Sequence, residues 1–349
     1  MKKNLILLFI VSLFAGCSTD YEILNSYDAI ILTADSSVKK FGETITFTVK
    51  DKEGNDLTDD AEFFIDGAPI EGNTFSSATV GNFEVTAKYY TVTSDPLLIS
   101  FHDGTVINFR KKMLIEDYTG VWCGYCPRVA YGVELVHQQT EDAIAVAIHR
   151  PSSNVSDANY DPYNYDAQEL ENILGADGYP KGFLNRTTQW KFPEPNNLNQ
   201  AIGMTQGINP RLGLAMTSSV ANGTITMDVN VMFGKDFTNN LKLVVYVLEN
   251  GLIYDQHNYT TYYNGEDILK DFVHNHVLRA CLTPILGESI DGSQTTFSNT
   301  YKRSFNVAVP ANVANTSKIE FVAFVIDENG KVVNVRRTTP GEDQEMELL

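Results

Sequence analysis

The alternation of apolar and polar positions divides the chain into three stretches of different character. Between Asp28 and about Ser100 the apolar residues fall in short strand-like runs. Ala29–Thr33 is one such run, and in Thr44–Val49 the side chains of Ile45, Phe47 and Val49 fall on one face of a strand. Ala61–Asp66 and Phe83–Tyr89 are two more. Turn-forming clusters separate them at Glu53-Gly54-Asn55-Asp56, Asp66-Gly67, Glu71-Gly72-Asn73 and Val80-Gly81-Asn82. Several short strands punctuated in this way predict a small β-sandwich.

From residue 105 to about 208 the pattern changes. Met113-Leu114-Ile115 opens an apolar strand, and a helical stretch runs from Cys126 to about Gln139. Ala143–Ile148 is a continuous apolar run, the signature of a strand buried on both faces. A second helical stretch covers Tyr163–Leu174, and Lys181–Asn185 reads as a short strand. Strand, helix, strand, helix, strand is an α/β order. From about Asn209 the pattern returns to β, with strands expected at Leu212–Val220, Thr224–Met232, Leu241–Leu248, Tyr301–Val309 and Ile319–Ile326. Asp327–Lys331 turns the last of these into Val332–Val335. The expected architecture is therefore an N-terminal sandwich (17–104), a central α/β domain (105–208) and a C-terminal β-sandwich (209–349) ending in a solvated acidic tail, Gly341–Glu347.

Residues 1–16 stand apart. Lys2 and Lys3 precede the apolar run Leu5–Phe14, which is too short to span a bilayer and fits a secretory signal peptide. Phe14-Ala15-Gly16-Cys17 resembles the bacterial lipobox, which implies lipidation of Cys17, a membrane anchor through that lipid and a place in the cell envelope. With 44 Asp+Glu against 26 Lys+Arg and a net charge of -18, the chain has no basic excess with which to bind nucleic acid.

The chemistry is concentrated in Glu116-Asp117-Tyr118-Thr119-Gly120-Val121-Trp122-Cys123-Gly124-Tyr125-Cys126-Pro127. A Cys-x-x-Cys between an apolar strand and a helix is the setting of a redox pair. A helix N-terminus at Cys123 would favour its thiolate. Pro127 suits a first helical turn, where a missing N–H costs little. Two other readings of the pair stand beside this one. It could be a structural disulfide of an oxidising compartment, or half of a zinc site completed by His274 and His276 on one face of a strand.

This stretch resembles the thioredoxin-like superfamily: Trp122 precedes the first cysteine, and the Gly-Tyr dipeptide within the motif matches periplasmic disulfide isomerases. Gly178-Tyr179-Pro180-Lys181-Gly182-Phe183 resembles the family's cis-proline loop, which implies that Pro180 is cis and that Tyr179 offers its backbone to a substrate peptide. The family's buried acid corresponds to Asp117, six residues before Cys123, placed to take a proton from Cys126. On a strand, Glu116 then faces the other side, one of the two acids being buried and the other exposed. A zinc site would not need the proline, and the redox reading is preferred. The extra length between Cys123 and Pro180 is assigned to a loop at 154–165, and Cys281 is taken as a buried bystander.

The N-terminal stretch resembles immunoglobulin-like modules of bacterial surface proteins. The approach Leu114–Gly120, the Cys126-Pro127 step and His274-Asn275-His276-Val277-Leu278-Arg279 resemble Bacteroidetes lipoproteins related to a 28-kDa outer-membrane protein. The expected function is an envelope lipoprotein whose Cys123 and Cys126 exchange thiols and disulfides with envelope proteins, without a cofactor. The alternative is a non-enzymatic surface lipoprotein in which the same fold is a scaffold for protein or glycan binding.

Overall fold

The computed structural model describes residues 29–349, so the expected signal peptide and Cys17 lie outside the described residues. The molecule is β-rich and multidomain, with three α-helices among the described residues: α1 (Pro127–His137), α2 (Gln168–Leu174) and α3 (Leu198–Ile202). None is long and apolar enough to cross a membrane.

The first module is a two-layer sandwich. One layer orders Ile31–Ala34, Thr44–Lys50 and Thr74–Ser76. The other orders Val38–Lys40, Leu97–His102, Gly81–Tyr89, Glu62–Ile65 and Ala68–Ile70. The period-two pattern does what it promises: Ile45, Phe47 and Val49 are fully buried and meet Phe63, Val85, Ile99 and Phe101 from the facing layer.

The rest of the chain is organised by one nine-stranded sheet. Its main path runs Thr188–Gln189, Lys181–Leu184, Met113–Thr119, Ala143–His149, Val277–Cys281, Lys242–Glu249, Ile319–Ile326 and Val332–Thr338. Glu288–Ser289 pairs off the path with Lys242–Glu249. This corrects the expected boundary at 208/209. The central α/β unit and the C-terminal strands share a sheet, joined where Ala147 pairs with Val277 in parallel and the Ala147 N–H donates to the His276 carbonyl at 2.8 Å. One face of the sheet carries a continuous core from Leu114, Val146 and Ile148 through Tyr246 to Phe324. The other face is covered in halves. Helices α1 and α3 with Trp190 pack over Met113, Ile115 and Ala145. A three-stranded sheet (Leu212–Ala221, Thr224–Phe233, Thr300–Ala308) packs over Leu243, Val245, Phe321 and Val325. The second sandwich is thus half of a larger layered body.

Two further expectations change. The acidic end is docked: Gln344 N–H donates to the Met216 carbonyl at 3.0 Å, Arg110 N–H donates to the Glu347 carbonyl at 2.9 Å, and Lys112 pairs with the Glu347 carboxylate at 2.8 Å. Helix α2 begins at Gln168 rather than Tyr163, because the preceding residues supply acceptors to Arg150: the Tyr165 carbonyl at 3.5 Å and Asp166 Oδ1 at 3.3 Å. Its end is set by Gly175 in the left-handed region at φ 64°. A two-stranded hairpin, Leu252–His257 with Ile268–His274, pairs with no other strand among the described residues and crosses the cysteine loop.

Candidate active site at the cysteine loop

Cys123 and Cys126 form a disulfide in the turn between the Met113–Thr119 strand and α1. Helix α1 starts at Pro127, which makes Cys126 its N-cap and leaves Cys123 one turn outside; the Cys126 N–H donates to the Cys123 carbonyl at 3.1 Å. The helix-end field expected at Cys123 therefore acts first on Cys126. The disulfide itself is buried, with Cys123 5% and Cys126 1% exposed, while Tyr125 between them stays exposed.

The two adjacent acids show why strand alternation misleads here. Both are buried, not one, because the Met113–Thr119 strand is covered on both faces. Glu116 points to the long core, where it meets the Arg186 guanidinium at 3.2 Å and accepts the Tyr246 hydroxyl at 3.0 Å. Asp117 points the other way, and its Oδ1 has no hydrogen-bond partner among the described residues. Burial raises its pKa well above the ordinary carboxylate value, Glu194 adds to that, and Arg128 only partly opposes it. Asp117 and Cys126 line one cavity of about 180 Å³ between α1, the two central strands and the hairpin, together with His137, His149 and His274.

Two of those histidines, His137 and His274, are neutral by environment. Burial takes His274 down to about 3, with His149 adding to the effect. Burial takes His137 down to about 4, with His276 adding to it. His149 Nδ1 lies 2.9 Å from Asp161 Oδ2, an oxygen that also accepts the Val121 N–H at 2.9 Å. Burial disfavours the Asp161 carboxylate, but His149 and the Val121 and Tyr163 amides outweigh it and hold its pKa below the ordinary value. The loop at 154–165 thus reaches back to fix the residue two before Cys123. Neither Asp161 nor His149 stands out in the sequence, since the contact depends on how that loop folds.

On the other side of the loop, the Tyr179–Pro180 bond is cis and Pro180 is buried. The Tyr179 ring sits edge-on to Trp122, with centroids 5.8 Å apart. The Tyr179 hydroxyl donates to Glu171 at 2.6 Å, and Glu171 takes both arms of the Arg150 fork at 3.1 Å. The Arg150 carbonyl in turn accepts the Trp122 indole N–H at 2.6 Å. A closed network therefore ties Trp122, Arg150, Glu171 and Tyr179 together beside the disulfide.

His274 and His276 do not share a strand face. The strand ends at His274, and His276 follows in a left-handed conformation at φ 55°, where its ring meets Glu320 at 3.3 Å. Among the described residues no group of three or more His, Cys, Asp or Glu is arranged to hold a metal ion. Cys281 is free; its Sγ accepts the Tyr165 hydroxyl at 3.1 Å, and burial pushes its thiol up to about 11.

Residues 167–344 match the family described as outer membrane protein Omp28. No curated protein sequence is significantly similar to the chain. Among solved structures, HBP35 of Porphyromonas gingivalis is similar at 20% identity, covering 68% of this chain and 79% of that one, with a TM-score of 0.49. The Yersinia pseudotuberculosis adhesin InvE is similar at 9% identity, covering 90% of this chain and 59% of that one, with a TM-score of 0.17. The family match spans half of the chain, and the protein belongs to the Omp28 family, an outer-membrane protein of the cell envelope.

Proposed function

We propose that the central unit is a thioredoxin-like thiol–disulfide exchange module, held at the membrane by lipid on Cys17 and acting on envelope proteins. The observation that carries this reading is the pairing of Cys126 with an unpartnered buried acid, Asp117, in one cavity. A structural disulfide needs no such acid, and leaving a carboxyl buried without a partner costs stability.

From the disulfide, a substrate thiolate attacks Cys123 Sγ. The Cys123–Cys126 bond breaks, a substrate–Cys123 bond forms, and the electron pair leaves on Cys126 Sγ. Asp117, whose acid form is favoured by burial, delivers its proton to that sulfur. A second substrate thiolate then attacks the substrate sulfur of the mixed disulfide, and Cys123 departs as thiolate. The substrate gains a disulfide and the cysteine pair takes up the two electrons. In reverse, Cys123 opens a substrate disulfide and Asp117 receives the proton of Cys126. Trp122 and Tyr179 wall the loop on the side of Pro180 and would flank the docked peptide.

The test is mixed-disulfide trapping. Reduced Cys126→Ser protein should accumulate a covalent adduct with a disulfide-bearing protein through Cys123, and Cys123→Ser protein should not. Absence of adducts in both would overturn the reading. The near-complete burial of both cysteines favours a second reading, a non-enzymatic scaffold that binds protein or glycan partners. Under that reading, the Cys123→Ser/Cys126→Ser double variant keeps envelope function unchanged.

A further inference from the structure

The burial of the disulfide has a specific source. The Leu252–His274 hairpin lies across the cysteine loop and is bonded to it by backbone. The His257 N–H donates to the Val121 carbonyl at 2.9 Å, and the Tyr259 N–H donates to the Gly124 carbonyl at 2.6 Å. The Gln256 side-chain amide donates to the Gly120 carbonyl at 3.2 Å and the Cys123 carbonyl at 3.1 Å. The contact is so close that a Cβ at position 124 would stand 2.2 Å from the Tyr259 ring, so a side chain there would push that ring away.

Elsewhere the same hairpin is held by side chains rather than by strand pairing: the Tyr163 hydroxyl donates to the Ile253 carbonyl at 3.0 Å, and the His274 ring meets His149 with centroids 5.1 Å apart. Among the described residues its two strands pair only with each other, and an isolated two-stranded hairpin is marginal in water. Ile253, Tyr254, Ile268 and Val273 on it are exposed. Beyond the cysteine loop, its tip rests on α1, where Tyr262 stacks on Tyr131 with centroids 4.7 Å apart and the Tyr263 hydroxyl donates to Glu134 at 2.8 Å. Its base has two pivots in the left-handed region, Gly251 at φ 73° and His276 at φ 55°. Reciprocal bonds fix that base: Gly251 N–H donates to Asn275 Oδ1 at 3.0 Å, and His276 N–H donates to Asn250 Oδ1 at 2.8 Å.

We propose that this hairpin is a strap that closes the Cys123–Cys126 site, and that it must swing about Gly251 and His276 before any thiol reaches Cys123. Lifting it frees the Val121 and Gly124 carbonyls and opens the cavity holding Asp117. The inference rests on the proposed exchange function for its purpose, but not for its test. A water-soluble phosphine reduces a disulfide by attacking one sulfur; it takes oxygen from water, and the cysteines are left as two thiols. The reaction needs access alone.

The experiment measures the rate of phosphine reduction of the full chain under native conditions. The variants are Gln256→Ala, Tyr259→Ala and Gly124→Ala, with Val307→Ala in the distant three-stranded sheet as a control. The strap predicts slow reduction in the wild type and in Val307→Ala, and at least tenfold faster reduction in each strap variant, with denaturant midpoints held near wild type. Equal rates in all proteins would overturn it. So would faster reduction that appears only in proportion to lost global stability. Protein-exchange activity is scored separately. Strap variants reduced quickly by phosphine yet inert toward protein disulfides would sink the exchange function and leave the strap standing.

Discussion

His149 and Asp161 form a buried pair at 2.9 Å, and the Asp161 oxygen that meets the imidazole also receives the Val121 amide. One carboxylate therefore couples the end of the Ala143–His149 strand to the residue two before Cys123. Asp161→Ala should lower stability by about 3 kcal/mol, in the range for breaking one side of a buried, hydrogen-bonded pair. It should also speed amide exchange at Val121. A loss below about 1 kcal/mol in urea unfolding would contradict the assignment.

Glu116 makes a different prediction from its neighbour. Glu116→Ala strands the Arg186 guanidinium in the core against Phe324 and Tyr246 and should cost about 3–5 kcal/mol. Asp117→Asn removes an acid that has no partner for one oxygen and should leave the denaturant midpoint unchanged or raised. Opposite signs at adjacent positions, read by equilibrium unfolding, would confirm that the two acids face different environments.

The same Asp117→Asn change should slow release of Cys126 during exchange by about 100-fold, the usual order for a positioned general acid. It should also flatten the pH profile of that step. An unchanged profile would remove Asp117 from the chemistry.

The pH dependence of stability follows from the histidines. His274 is held near 3 in the folded protein, below its ordinary value of 6.5. Above about pH 6.5 it is neutral in both states. As pH falls from there toward 3, the unfolded chain takes up the proton first and stability is lost. His274→Asn should therefore make stability fall less steeply between pH 6 and 4, by about one proton or about 1.4 kcal/mol per pH unit. Equal slopes in the two proteins would contradict a neutral buried His274.

Much of this was legible in the sequence because period and burial agree. Thr44–Lys50 alternates and is half-buried; the runs 143–148 and 321–326 are continuously apolar and lie in strands covered on both faces. The Cys-x-x-Cys turn after a strand was equally plain. What the pattern hides are relations between distant residues. Glu116 looks like a surface acid until Arg186 arrives from a left-handed turn 70 positions later. The shared sheet depends on Val277 meeting Ala147, a parallel contact with no local sequence mark. The hairpin is obscure for a physical reason. It buries little, has a bulge between Tyr254 and Gln256, and bends at Asp271 with φ 51°, so its apolar alternation is broken.

The most direct measurement is the redox equilibrium of Cys123–Cys126 in the folded chain against graded thiol–disulfide buffers. The account predicts reversible reduction at a potential between about -270 and -120 mV, the span of exchange-active pairs. A native pair that stays oxidised below about -300 mV would be a structural disulfide and would contradict the account.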